Sequence, residues 1–342
     1  MNRFKPTSEL LHRLNHAVKN PRLKFAAILL ADLFRIRHLI VRLDAVNACN
    51  LRCGMCFFSD AAWRKAHMKG QFTKSDIERL AVMFFRDALQ VHFGCAMEPT
   101  MFRDYPWLIE LAKRHRVPFV GFTTNGQILS ETAYERMACA GLDEITVSTH
   151  GVRKETYESL MPGAAYERLL ASLAMIAGIN RKIGTGAPRL RLNYTICPAN
   201  LEELDEFLEI YGRFGISTLQ LRPMADFGET TYADKDLRPH LSRYNAAIER
   251  AIAACKARNI ILLANRSDPA HERPNPAASV YKMGILRYLN PNVVWRDDFE
   301  WRTRDYRDHK SQLGWRRQLL AQAIGFHRSE PAQSHQAIFE AF

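Results

Sequence analysis

The sequence predicts an α/β fold built around a parallel β-sheet. Short runs rich in β-branched residues alternate with longer amphipathic segments, and six such pairs follow one another along the chain. Strand–helix–strand units give parallel neighbours joined by right-handed crossovers. With 342 residues, 47% of them hydrophobic and 25% charged, the chain is also large enough for one or two sizeable cores. A disordered chain, a collagen-like repeat and a small disulfide scaffold are excluded.

The elements follow one another in a regular order. Strands are predicted at residues 39–46, 89–93, 119–123, 144–148, 190–196 and 218–221. Helices are predicted at residues 75–85, 105–115, 130–140, 166–180, 201–214 and 242–258. Capping signals at Thr73 to Asp76 and at Ser130 to Ala133 support two of the helix starts. Periodicity alone fits either an open doubly wound sheet or a partly closed barrel, and in both folds ligands gather at the carboxyl ends of the strands.

The N-terminal segment, residues 1–38, is basic and predicted to be helical over residues 23–37. Residues 1–42 hold nine Lys or Arg and two acidic residues, which accounts for +7 of the net charge of +12. Such a segment could attract nucleic acid, an anionic leader peptide or an anionic lipid surface, although a solvated basic face is the simpler interpretation. Its apolar stretch, residues 25–34, is too short to span a bilayer. We expect it to pack on the main domain.

Residues 39–263 are predicted to form the main domain, and residues 264–342 an α-rich C-terminal extension. The chain has seven cysteines, an odd number, and four of them are isolated: Cys95, Cys139, Cys197 and Cys255. This distribution does not fit a secreted disulfide framework. Because no signal peptide is recognisable, we expect a cytoplasmic protein.

The other three cysteines lie together in the loop after the first predicted strand. Residues 47–58 read N-A-C-N-L-R-C-G-M-C-F-F, which spaces Cys49, Cys53 and Cys56 by four and three residues. Thiolates are the protein ligands of iron–sulfur clusters, and three of them leave one iron of a four-iron cluster open for chemistry. Zinc is the alternative, but a structural zinc site takes four ligands, so Cys95 or a histidine would have to complete it.

This C-x-x-x-C-x-x-C pattern, with Met55 before its last cysteine and aromatic residues after it, resembles the radical S-adenosylmethionine (radical SAM) superfamily. Further similarities follow in family order over about residues 39–225. They are the G-C-A-M-E-P-T segment at residues 94–100, similar to the G-G-E-P motif with Met97 at the second glycine, the T-T-N-G turn at residues 123–126, Ser148 after the fourth strand and Asn193 on the fifth. The resemblance selects a partial (β/α)6 TIM-type barrel over the open sheet.

The resemblance also implies the site. Cys49, Cys53 and Cys56 would hold a [4Fe-4S] cluster and serve as the catalytic, metal-binding residues. S-adenosyl-L-methionine (SAM) would be bound by Met55, Phe57, Glu98, Asn125, Ser148 and Asn193. The N-terminal half is similar to SPASM-type members, but no cysteine follows Cys255, so we predict a single cluster.

The chemistry implied by the resemblance is the reductive cleavage of SAM. The reduced cluster would donate one electron to the sulfonium, releasing methionine and a 5'-deoxyadenosyl radical that abstracts a hydrogen atom from the substrate. A reducing partner such as flavodoxin or ferredoxin is then required. His150 and Arg222, at strand ends, are the candidates for substrate contact, since Arg222 could bind a carboxylate or phosphate.

Three functions from different classes stay open at this point. The first is a radical enzyme acting on a peptide or a small metabolite. The second is a radical enzyme acting on RNA, which the basic balance suggests but no recognisable nucleic-acid-binding module supports. The third is a non-catalytic zinc-binding or interaction protein.

Overall fold

The described part of the chain forms one sheet. The computed structural model describes residues 18–224, 230–232, 234, 236–265, 280–325 and 340–341. The strands are β1 (Leu39–Leu43), β2 (Ala88–Phe93), β3 (Phe119–Thr124), β4 (Glu144–Thr149), β5 (Arg189–Ile196), β6 (Ile216–Pro223), β7 (Ile261–Ala264), β8 (Leu286–Leu289) and β9 (Glu340–Ala341). Their order is β8-β1-β2-β3-β4-β5-β6-β7-β9, and every neighbouring pair is parallel except β7 with β9.

Helices connect successive strands. In chain order they are α1 (Pro21–Leu33), α2 (Ala61–His67), α3 (Lys74–Phe84), α4 (Tyr105–Arg114), α5 (Glu131–Cys139), α6 (Lys154–Leu160), α7 (Tyr166–Ile183), α8 (Phe207–Tyr211), α9 (Leu241–Ala257), α10 (Tyr306–Gln312) and α11 (Trp315–Ile324). Both predicted caps are present: Thr73 and Asp76 form a capping box on α3, and the Ser130 hydroxyl accepts from the Ala133 N–H on α5. None of the described helices is both long and apolar enough to cross a membrane.

The structure differs from the predicted elements at two helices. The helix predicted at residues 23–37 ends at Leu33, and Arg35 takes a positive φ of 55°, which terminates the helix. The helix predicted at residues 201–214 is instead two short 3-10 turns flanking the five-residue α8.

The sheet also extends past the six predicted strands. β7 and β8 are further parallel strands, and β8 pairs with β1 from within residues 264–342. That segment therefore contributes a strand to the sheet as well as α10 and α11. The proposed boundary at residues 263 and 264 falls at the end of β7.

The N-terminal helix α1 packs on the C-terminal segment. Phe25 and Ile28 of α1 are buried with Val280, Trp315 and Leu319 in a small apolar cluster. The buried Asp32 forms ion pairs with Lys310 of α10 and Arg316 of α11. The sequence predicts that this helix packs on the main domain, but these contacts are all with residues 280–319 of the C-terminal segment.

The two faces of the sheet have different surroundings. Along β5, Leu190, Leu192, Tyr194 and Ile196 are buried, and Tyr194 meets Phe207 of α8 edge to face. The alternate residues of β5 are only half-buried. Because successive side chains of a strand point to opposite faces, one face packs on helices and the other carries mostly polar side chains. Of these, Glu144, Thr146 and Gln220 are buried, whereas Ser148 and Arg222 near the strand ends are accessible to solvent. This second face, called the inner face below, ends at the loops that follow the strands.

Candidate active site

The loop that carries the three cysteines is held on both sides by backbone hydrogen bonds. At its start, Asn47 N–H donates to the Gly70 carbonyl at 3.1 Å and its side-chain amide to the Lys69 carbonyl at 2.9 Å. Farther along, Arg52 N–H donates to the Pro162 carbonyl and Gly54 N–H to the Leu160 carbonyl, both at 3.0 Å. The cysteines are thus presented by a fixed loop after β1.

The three thiols are free and half-buried in this loop. Burial, with added contributions from the neighbouring Glu98 and Cys56, raises the pKa of Cys49 to about 12. Burial also raises the pKa of Cys53, with added contributions from Cys49 and Cys56. The three sulfurs therefore lie near one another, and only a bound metal would make them thiolates at neutral pH.

The donor set fits an iron–sulfur cluster. Among the described residues, no three Cys, His, Asp or Glu side chains are grouped tightly enough to hold a single metal ion. A multi-iron cluster does not need that grouping, since each cysteine binds a different iron. Thiolate ligands of this kind are the ones that iron–sulfur clusters take. The described residues therefore contain no group of ligands that would support the alternative zinc site.

Asp44, which sequence reasoning missed, fixes the loop after β2. Its Oδ1 accepts from the Cys95 N–H at 2.8 Å, and its Oδ2 accepts from the Ala96 N–H at 3.1 Å and from the Tyr288 hydroxyl at 2.7 Å. Asp44 itself is 1% exposed. The signal in the sequence was a lone acidic residue directly after an apolar strand, and its partners come from β8 and from a loop fifty residues away.

Glu98 is bound by the protein on both oxygens. Its Oε1 accepts from the Thr100 hydroxyl at 2.5 Å and the Thr124 hydroxyl at 2.7 Å, while Oε2 accepts from the Asn125 N–H at 2.8 Å. Burial raises the pKa of Glu98, and these hydrogen bonds oppose that rise. In this arrangement Glu98 joins the loop after β2 to the turn after β3.

Asn125 lies between that turn and the cysteine loop. Its side-chain amide donates to Asn50 Oδ1 at 2.8 Å and lies 4.0 Å from Cys49 Sγ. Its Oδ1 accepts from the Gln127 N–H at 3.0 Å. The T-N-G turn predicted from the sequence is therefore next to the first cysteine.

In the loop after β2, Gly94 is the position at which the structure requires a glycine. Its φ is +78°, and a Cβ added there would lie 2.2 Å from the Thr123 carbonyl oxygen and 2.7 Å from the Pro99 ring. Met97, at the second glycine of the similar motif, has no positive φ. The close approach of the β2 and β3 loops thus depends on Gly94, and a methionine is accommodated at residue 97.

The hydrophobic residues around the cysteines form two groups. Met55 is buried with Leu160, Cys197 and Met224, so it links the cysteine loop to the ends of β5 and β6. Phe57 is half-buried, and its ring lies 4.2 Å from the Trp63 ring and 4.7 Å from the Phe58 ring.

The remaining predicted residues lie near or just beyond the carboxyl ends of β4, β5 and β6. Ser148 pairs in register with Asn193, and Asn193 with Gln220. Asn193 Oδ1 accepts from Arg191 Nε at 3.2 Å. All three strands therefore contribute polar side chains to the same end of the inner face.

His150 and Arg222 are neighbours at this end. The Thr195 N–H donates to His150 Nδ1 at 3.4 Å, and Thr195 pairs in register with Arg222. Burial, together with the charge of Arg222, lowers the pKa of His150 to about 4, so the imidazole is neutral at pH 7. The two substrate candidates thus meet in one place.

Such a fold, with three cysteines after its first strand, defines a domain of the iron–sulfur class. A model of the Radical SAM superfamily matches residues 45–211. Residues 45–211 therefore form a domain of the radical SAM superfamily, a family of enzymes whose cofactors are a [4Fe-4S] cluster and SAM.

Curated relatives are similar to part of the chain. A probable GTP 3',8-cyclase from Saccharolobus islandicus is 28% identical over 205 residues, which are 57% of this chain and 60% of the relative. The chain therefore spans about 60% of the length of this curated relative.

Solved structures agree in fold. Streptococcus suis SuiB bound to its precursor peptide SuiA matches with a TM-score of 0.62 and 16% identity, covering 91% of this chain and 73% of SuiB. The FeFe-hydrogenase maturase HydG from Carboxydothermus hydrogenoformans matches with a TM-score of 0.52 and 12% identity, covering 90% of this chain and 74% of HydG. The fold is thus the partial TIM-type barrel of this superfamily, as the sequence predicted.

Proposed function

We propose that this chain is a radical SAM enzyme that abstracts a hydrogen atom from a peptide or small-metabolite substrate held on the inner face of the barrel. The observation that carries the proposal is the loop with Cys49, Cys53 and Cys56, anchored at the carboxyl end of β1 in a domain of this superfamily. When bound, the cluster and SAM supply one-electron cleavage of the cofactor and removal of a hydrogen atom from the substrate.

The chain's own residues hold and orient these groups. The three cysteines would be the cluster ligands, with Asn125 beside Cys49. Glu98 would act as a positioning residue, because both of its oxygens bind the turns that flank the site. Met55, Phe57, Ser148 and Asn193 stay predicted cofactor contacts.

The relatives support two different classes of substrate. SuiB was solved with a precursor peptide, which supports a peptide, whereas the name of the cyclase relatives supports a small nucleotide. As part of the proposal, a small electron carrier such as flavodoxin or ferredoxin supplies the electron. All seven cysteines are free thiols, which supports a cytoplasmic location.

The test is anaerobic reconstitution with iron and sulfide, followed by reduction in the presence of SAM. We expect about four irons per chain, the absorption of a four-iron cluster, and 5'-deoxyadenosine detected by mass spectrometry. Cys53→Ala should abolish 5'-deoxyadenosine formation, whereas Cys139→Ala, at an exposed position in α5, should retain it. Cofactor cleavage at the normal rate in Cys53→Ala would refute the proposal.

A further inference from the structure

The inner face of the sheet carries three arginines that lie near one another. Arg42 of β1, Arg191 of β5 and Arg222 of β6 are each accessible to solvent, and their neighbours along each strand are buried. Desolvation by the surrounding protein, together with the charges of Arg42 and Arg191, lowers the pKa of Arg222 to about 10. Arg222 is therefore accessible to solvent and at the same time surrounded by protein and by cationic neighbours. The part of the inner face that these three arginines border is called the cavity below.

Few negative groups balance these arginines. Glu144 is shared by Arg189, at 2.8 Å, and Arg191, at 3.5 Å. Asp44 already accepts three hydrogen bonds, from two backbone N–H groups and Tyr288. Among the described residues of the inner face, four arginines (Arg42, Arg189, Arg191 and Arg222) therefore meet two carboxylates.

The histidines of the cavity do not add charge. Burial, together with the charges of Arg42 and Arg191, lowers the pKa of His92 to about 3. His150 is also neutral at pH 7, since its pKa is lowered to about 4. The imidazoles are therefore hydrogen-bonding groups beside a cationic cluster.

Arg222 differs from Arg191 in its contacts. Arg191 is bound to Glu144, Asn193 and Gln220. Within the described residues, the Arg222 side chain makes neither a hydrogen bond nor an ion pair, and its neighbours Leu221 and Pro223 are buried. A partly desolvated guanidinium without a counter-ion is a favourable partner for a bound anion.

We propose that this cavity binds an anionic group of the substrate, a carboxylate or a phosphate, with Arg222 as the direct contact and Arg42 and Arg191 setting the positive potential. Arginine suits this role, because its planar fork binds either oxyanion through two hydrogen bonds. His150 lies beside Arg222 and offers a further neutral donor or acceptor. The inference rests on the proposed function, since it names the substrate class of the same site.

The test measures anion binding and SAM binding separately, in the reconstituted protein. Inorganic phosphate, pyrophosphate and succinate are titrated by calorimetry in a chloride-free buffer into the wild type, Arg222→Gln and Arg213→Gln. Arg213 is the matched control, because it is exposed on the turn after α8. We expect saturable binding to the wild type, weakened about tenfold to a hundredfold in Arg222→Gln and unchanged in Arg213→Gln. Preference for pyrophosphate identifies a phosphate group, and preference for succinate a carboxylate.

Two results would overturn the inference. One is equal anion affinity in the wild type and Arg222→Gln, or no saturable binding of any probe. The other is a loss of SAM affinity in Arg222→Gln with anion affinity unchanged, which would assign Arg222 to the cofactor. If Arg222→Gln does not fold, Arg222→Lys, which keeps the charge but not the fork, should show an intermediate affinity. Cluster content and 5'-deoxyadenosine formation are read independently, so a failure of the proposed function is distinguishable from a failure of the anion site.

Discussion

Glu98 is a residue whose chemistry is decided by its burial. It is 3% exposed, and its two oxygens accept hydrogen bonds from Thr100, Thr124 and Asn125. Because the protein supplies these hydrogen-bond donors, the Glu98 carboxylate joins two loops. It has few free lone pairs left to accept a hydrogen bond from a ligand. The motif identified Glu98 in the sequence, but its partners Thr124 and Asn125 are 26 and 27 positions away, and no local pattern predicts them.

Replacing Glu98 with Gln should destabilise the protein and loosen the site. The amide would direct an N–H group at a backbone donor, either the Asn125 N–H or the Thr100 N–H, so one buried hydrogen bond is lost. We expect the free energy of unfolding of the cluster-free chain to fall by about 1–3 kcal/mol, measured in urea, and SAM affinity of the reconstituted protein to fall with it. Glu209→Gln, at an exposed position of α8, is the control. Unchanged stability in Glu98→Gln would show that its hydrogen bonds contribute nothing.

At the scale of elements, the packing of β2 against β3 depends on a glycine, Gly121, whose lack of a side chain leaves room for a neighbour. His92 of β2 pairs in register with Gly121 of β3, and a Cβ added to Gly121 would lie 2.6 Å from His92 Nδ1. The ring also hydrogen-bonds to Gln90 at 3.0 Å. Gly121 therefore provides the space that the His92 ring occupies on the inner face, although its own φ is not positive.

A double-mutant cycle tests this fit. Gly121→Ala should lower the free energy of unfolding by about 1–3 kcal/mol, because the added methyl group displaces the His92 ring. In a His92→Ala background the same change should be nearly neutral, which gives a coupling energy of about 1 kcal/mol or more. Urea unfolding of the four cluster-free proteins supplies the values. Equal costs of Gly121→Ala in both backgrounds would show that the two residues are not coupled.

Element prediction succeeded where the pattern was local and repeated. The six strand–helix units and both capping signals follow from periodicity and short-range hydrogen bonds, and all six predicted strands overlap observed ones. β7 and β8 escaped prediction because each has only four residues. The segment at residues 201–214 has an apolar helical period, but Tyr211 and Glu203 hydrogen-bond to the backbone after β4, and the chain there forms short turns instead of one helix.

At the scale of the molecule, the two ends of the described chain pack together. Asp32 of α1 is buried against Lys310 and Arg316; burial alone would raise its pKa, but the hydrogen bonds and charges of those two residues lower it below its usual range. On the other side of this contact, Arg287 of β8 is fully buried, with its guanidinium 4.7 Å from the Trp295 ring and 5.1 Å from the Trp315 ring. Composition alone showed these tryptophans after residue 264 but could not show that they enclose a strand residue of the sheet.

Leu319 tests whether residues 264–342 are an independent extension or part of the barrel. It is 0% exposed among Phe25, Ile28 and Trp315, while the adjacent Leu320 is 49% exposed. Because β8 pairs with β1, directly before the cysteine loop, we expect the segment to unfold together with the barrel. Leu319→Ala should then lower the free energy of unfolding of the cluster-free chain by about 2–5 kcal/mol in one transition, and Leu320→Ala should change it by less than about 0.5 kcal/mol. Fluorescence of the tryptophans and far-ultraviolet circular dichroism are followed in urea. A separate early fluorescence transition in Leu319→Ala, with the circular dichroism transition unmoved, would instead establish the extension as a domain of its own.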